Sequence, residues 1–238
     1  MSSAAAQEGT DALARLLVHV EGETEEVFVN EVLRPHLISR GYERVGARLL
    51  GNARQRDRRG GIRSWSAARR DIIRHLNEDG ECVATTMVDY YGLPRNGERA
   101  WPGRAAATSL PVPTKPTHVQ DALLADLASD IDVRRFLPFV VMHEFEGLLF
   151  SDCEVFADSI GKPALAGQLQ EVRDHFETPE YINDSPDTAP SKRVEDLIPE
   201  YQKPLFGNVA ASAIGLTKIA AECPHFRTWV TALERLAR

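Results

Sequence analysis

The 238-residue sequence has only three cysteines, Cys82, Cys153 and Cys223, widely separated and forming no Cys-x-x-Cys pair. That count supports neither a disulfide framework nor a thiolate zinc site, and a reducing cytoplasmic setting is expected. Long apolar runs are also missing. The longest, such as Phe136 to Met142, fall far short of the roughly 20 residues a membrane helix needs, so no membrane partner is expected. Met1 to Asp11 is small and polar, without the basic and then apolar order of a secretory signal. There is no internal repeat, no low-complexity tract and no Gly-x-x-x-x-Gly-Lys-Ser/Thr phosphate loop. With 43% apolar and 26% charged residues the composition is that of a globular protein: one elaborated domain, or a domain with a helical appendage.

Negative charge is in slight excess: 28 Lys and Arg against 35 Asp and Glu give −7, which taken alone disfavours a nucleic-acid partner. The distribution points the other way. Eleven arginines and only three acids (Glu43, Asp57, Asp71) lie between Arg40 and Arg74, a local balance of about +8. Arg54 to Gly61 reads as a basic loop. The helix expected over Ile62 to Leu76 has Ile62, Trp65, Ala68, Ile72 and Leu76 on one side and arginines on the other. Arg54, Arg56, Arg58, Arg59, Arg63 and Arg70 are therefore the candidate contacts to a polyanion; the ordinary alternative is a solvated face.

Leu16 to Val20 is a short apolar run ending at Glu21-Gly22, and Thr24 to Ile38 follows with helical spacing, so the sequence predicts strand, tight turn, helix. Further strands are expected at Arg44 to Leu50, at the β-branched Cys82 to Val88, and at Phe136 to Met142, where Pro138 suits an edge or a strand start. Tyr90 to Pro116 is too rich in turn formers to be regular, and Thr117 to Leu127 reads as a helix capped by Thr117. Strands alternating with helices imply βαβ units. The expected fold is α/β, a mainly parallel sheet of about four strands flanked by helices over residues 1–150, with a helical portion packed on it over 151–238.

Ligands of such sheets bind beyond the carboxyl ends of the strands, and acids stand there. Glu21 closes the first strand, with Glu25 four residues on; Asp89 closes the third; Glu144 and Glu146 follow the fourth. Each has an ordinary reading as a helix-start acid or a turn former. Together, with no His/Cys cluster nearby, they suit a hard cation, Mg²⁺ or Mn²⁺, rather than zinc. His19 and His143 read as core or surface histidines rather than ligands. Among the tryptophans only Trp101, in the Pro-rich loop, is a candidate for stacking on a base.

Three separated stretches, Leu17-Val-His-Val-Glu-Gly-Glu-Thr-Glu25, Met87-Val-Asp-Tyr-Tyr-Gly-Leu-Pro94 and His143-Glu-Phe-Glu-Gly-Leu-Leu-Phe-Ser-Asp152, resemble the bacterial domain-of-unknown-function family 4276, regarded as Toprim-like. Ile182 to Pro186, Ala189 to Arg193, Ile214 to Leu216 and Cys223 to Phe226 extend the resemblance over nearly the whole chain. It implies a site like that of the Toprim nucleases of the overcoming-lysogenization-defect type: Glu21, Asp89 and Glu144 catalytic, and Glu21, Glu25, Asp89, Glu144 and Glu146 holding Mg²⁺ or Mn²⁺. Tyr91 stands where the Toprim pattern has its second Asp, so Glu144 and Glu146 are expected to make up the loss. Lys192 is the candidate to stabilise charge on a phosphate, against its ordinary reading as a surface lysine. The implied function is a metal-dependent phosphodiesterase acting on DNA or RNA in phage defence, with a possible ABC-type ATPase partner. The alternative is a non-catalytic regulatory or toxin-like subunit that binds metal or nucleotide and docks on that ATPase.

Overall fold

Strand β1 (Arg15–Val20) buries Leu16, Val18 and Val20 on one face and His19 on the other, the alternation of a strand covered on both sides. β2 (Arg44–Leu49) and β3 (Cys82–Asp89) flank it, both parallel to it. Two short strands, β4 (Phe136–Leu137) and β5 (Val140–Val141), add to β3, again parallel. The computed structural model, which describes residues 14–50, 62, 64–183 and 188–237, is thus a mixed α/β fold with a parallel sheet of order β2-β1-β3-β4, β5 also pairing with β3.

The strand expected over 136–142 is interrupted at Pro138, which has no N–H to give to a ladder. Thr86 fills the break: its hydroxyl donates to the Phe139 carbonyl at 2.8 Å and accepts the Phe139 N–H at 2.9 Å. The helix expected over 24–38 is present as α1 (Glu23–Phe28), a π-helical turn (Val29–Leu33) and α2 (Arg34–Ser39). α3 (Trp65–Glu78) buries Trp65, Ala68, Ile72 and Leu76, the expected stripe. α4 (Lys115–Leu127) starts earlier than Thr117, because Pro116 in its first turn needs no hydrogen-bond acceptor. The C-terminal region is helical: a 3₁₀ stretch (Phe145–Ser151), then α5 (Cys153–Ser159), α6 (Ala166–Asp174), α7 (Pro190–Leu197), α8 (Asn208–Ile214), α9 (Leu216–Glu222) and α10 (Pro224–Leu236).

Two apolar layers cover the sheet. α1 and residues of the C-terminal helices pack with Leu16, Val18 and Val20 on one face; α3 and α4 pack with Ala84 and Val88 on the other. Trp229 of α10 stacks on Phe139 with ring centroids 4.3 Å apart and donates to the Thr85 hydroxyl at 2.9 Å, fastening the last helix to the sheet. The helix that follows β1 and the helix that follows β3 therefore lie on opposite faces. Between the carboxyl ends of those two strands the connections diverge and leave the crevice where open parallel sheets bind ligands. Among the described residues no helix is long and apolar enough to cross a membrane.

Candidate active site

Glu21, the residue after β1, and Asp89, the last of β3, meet across that crevice: the Asp89 N–H donates to Glu21 Oε2 at 3.3 Å. Gly92 lies so close that a Cβ there would sit 2.5 Å from Glu21 Oε2 and 2.6 Å from Oε1, so any larger residue would require the carboxylate to move. Glu25, buried in the first turn of α1, accepts the Gly22 N–H at 3.0 Å and so braces its own helix start. Glu144 accepts the Ser191 N–H at 3.0 Å at the start of α7, and Glu146 lies in the 3₁₀ stretch, 1% exposed. The five acids picked out in the sequence come from three segments, after β1, at the end of β3 and after β5, and gather at this one rim.

Crowding and burial act together on them. Burial, with repulsion from Glu25, pushes the Glu21 carboxyl up to about 7. Burial raises Glu25, and Asp89 is raised well above the carboxylate range by burial and then by Glu25, Glu21, Glu146 and Glu144. Glu146 is also pushed up to about 7, chiefly by burial. Asp89 Oδ1 is buried and has no hydrogen-bond partner among the described residues.

Among the described residues, the one cation in contact with these acids is a residue the sequence did not flag. Lys203, on a π-helical turn (Lys203–Gly207), reaches Glu146 Oε2 with its Nζ at 3.3 Å. Burial opposes its charge, but Glu146, Glu144 and Asp89 outweigh that and raise its pKa. Nothing in Gln-Lys-Pro-Leu-Phe-Gly distinguishes it from a surface lysine; only the packing of that turn against α1 brings it to the rim. Lys192 is exposed and pairs with Glu195 at 2.6 Å, close enough to Glu144 to feel its charge.

Beside the acids, the Tyr91 hydroxyl is hydrogen-bonded to the Asn183 amide and its ring packs on His143, centroids 5.0 Å apart. His143 is buried with a left-handed backbone (φ 65°), and burial pushes its imidazole down to about 3, so it is neutral. Trp101 is buried against Trp65, centroids 5.0 Å apart, and so is not free to stack on a base. Of the arginine candidates, Arg54, Arg56, Arg58, Arg59 and Arg63 lie outside the described residues, while Arg70 is exposed on α3. Neighbouring arginines there are engaged: Arg69 with Asp126 and Asp130, Arg74 with Asp71 and Glu78.

For a hard divalent cation the donor chemistry fits: carboxylate oxygens only, several of them held against their preference, and one buried oxygen unsatisfied. They do not form a finished coordination shell. Among the described residues no three His, Cys, Asp or Glu side chains are arranged to hold a metal ion, and Glu21, Glu25 and Glu144 each accept a backbone N–H. No curated protein and no solved structure matches the chain. The model of the family described as domain of unknown function DUF4276 matches residues 20–234, a span that holds every acid of the rim together with Lys203, and the chain belongs to that family.

Proposed function

We propose that the rim is the active centre of a Toprim-like, Mg²⁺- or Mn²⁺-dependent phosphodiesterase that cleaves DNA or RNA, an effector of phage defence. The observation that carries this is Asp89 Oδ1, a carboxylate oxygen buried without a partner among acids with raised pKa values at the switch point of the sheet. Native proteins satisfy buried polar atoms with protein groups, ordered water or ions, and of the buried atoms without a partner among the described residues Asp89 Oδ1 is the one carboxylate oxygen. A bound divalent cation supplies Lewis-acid polarisation of a phosphate oxygen and neutralises charge that the phosphate brings.

The chain's own residues do the rest. Asp89 and Glu21 would hold the cation from the two strand ends, with Glu25 and Glu146 behind them and Glu144 at the mouth. A carboxyl raised to about 7 that stands behind the cation's own ligands, as at Glu146, is matched to accepting a proton from water at neutral pH. Lys203 places a positive charge where a phosphate would enter; Lys192 stands farther out, beside Glu144. The basic segment that includes Arg54, Arg56, Arg58, Arg59, Arg63 and Arg70 would engage the strand through its phosphates without reading sequence. The second reading, a non-catalytic subunit docking on an ABC-type ATPase, is favoured by the three acids already engaged with backbone N–H groups. Incubating the purified chain with labelled DNA and RNA in Mn²⁺ decides between them: cleavage that Asp89→Asn abolishes supports the hydrolase, and intact substrate with parent and variant alike supports the docking subunit.

A further inference from the structure

Next to the carboxylates a cavity of about 470 Å³ opens, lined by Tyr91, Gly92, Leu93, Arg95, Arg104 and Glu144. Its size falls within the roughly 300–1,000 Å³ of small-ligand pockets. Arg104 is the unusual member. It is 5% exposed, lies over the Tyr90 ring at 3.8 Å from the centroid, and donates from Nε to the Tyr90 carbonyl at 2.9 Å and from Nη1, weakly, to the Thr108 hydroxyl at 3.5 Å. No carboxylate pairs with it among the described residues, and burial works against its charge. A guanidinium nevertheless stays protonated, and a buried charge without a counter-ion is costly. Glu146, by contrast, has the Lys203 ammonium at 3.3 Å. Arg95 brings a second guanidinium to the same cavity and is exposed.

We propose that this cavity is a phosphate subsite, in which Arg104 and Arg95 hold the phosphate next along the strand from the one at the carboxylates. The intervening nucleoside lies against the cavity wall that includes Tyr91. Identifying the anion as a nucleotide rests on the phosphodiesterase reading above; the demand for an anion rests on Arg104 alone. Two guanidiniums facing one carboxylate, Glu144, leave the cavity net positive beside a negative rim. Carboxylate and phosphate oxygens both match the planar fork of arginine; the phosphodiesterase reading selects the phosphate.

The test is calorimetric titration of the full chain, in chelator and without metal, with adenosine 5′-monophosphate and with adenosine. The monophosphate is expected to bind and adenosine not to. Arg104→Gln and Arg104→Lys should weaken binding about 10-fold or more, the scale of a charge-assisted hydrogen bond. Arg95→Gln, a surface change that leaves packing intact, should weaken it about 3-fold or more. Absence of binding to the parent, or binding indifferent to Arg95→Gln in a folded variant, overturns the subsite. Arginine-dependent binding by a chain that cuts nothing in Mn²⁺ keeps the subsite and removes the hydrolase; cleavage without arginine-dependent binding does the reverse.

Discussion

The two ends of the sheet treat acids in opposite ways. At the amino end Arg15 of β1 grips Asp79 with two nitrogens, at 2.8 and 2.6 Å, and reaches Glu43 with a third at 3.2 Å. The Asp79 carboxyl is held down at about 2, first by its hydrogen bonds to Arg15. At the carboxyl end four acids are pushed the other way, with one lysine among them. The amino-end acid helps hold β1 and the α3–β3 turn together. The carboxyl-end acids oppose folding whenever they are ionised, and groups kept at a cost to stability mark a site by their chemistry.

The sharpest way to break the contrast is to remove its centre. Asp89→Asn should lower Mn²⁺-dependent cleavage by on the order of 10²–10³-fold, the loss expected when one preorganised electrostatic partner goes. The same variant should melt higher than the parent in chelator at pH 8, because a buried repelled carboxylate has been neutralised. A scan showing equal cleavage, or a lower midpoint, contradicts the assignment.

The pH dependence comes next in size. Glu21 and Glu146 titrate near 7 in the folded chain and near 4.5 when unfolded. Between those values the folded form holds protons that the unfolded form has released, so stability falls as pH rises. Metal-free melting midpoints should therefore be higher at pH 5.5 than at pH 8, and millimolar Mn²⁺ should raise the pH 8 value most, by mass action on the folded state. For Asp79 the sign is reversed: its contribution is present above about 4 and lost as pH falls toward 2. The pair is screened by solvent, so this loss should be small, and the melting midpoints of parent and Asp79→Asn should converge as the pH falls through that range.

Lys203→Met sharpens the comparison from the other side. The Lys203 side chain is 40% exposed and that of its partner Glu146 2%, and Glu146 can escape by taking a proton. The cost at pH 8 should be about 1–2 kcal/mol, less than the 3–5 kcal/mol of a fully buried broken pair. Urea melts at pH 8 and pH 5.5 should show it shrinking at the lower pH. The smallest effect is expected of Asp79→Asn at neutral pH, a half-exposed pair in which screening removes most of the gain.

What the sequence disclosed and what it hid follow from the reach of each interaction. The strand, turn and helix at 16–38 and the stripe of α3 are set by neighbours within a few residues, so periodicity revealed them. The acids were legible because a strand end is a local event and the parallel sheet collects strand ends at one rim. Lys203 was not, since its partner Glu146 is 57 residues away in sequence and its own segment carries no pattern. Arg104 sat in a stretch rich in turn formers, where nothing signals that a guanidinium will be folded inward over Tyr90. The break at Pro138 was foreseeable only as a preference for an edge; the side chain of Thr86 that bridges it comes from another strand.

The left-handed turn at His143 has a mechanical consequence. A histidine adopts that conformation less readily than glycine or asparagine, and here Tyr91 and Asn183 close around the ring and keep it there. The chain leaving β5 turns at this residue, and Glu144 and Glu146 follow it within three residues. The contact that holds the His143 ring therefore also fixes where the segment carrying both glutamates sets out.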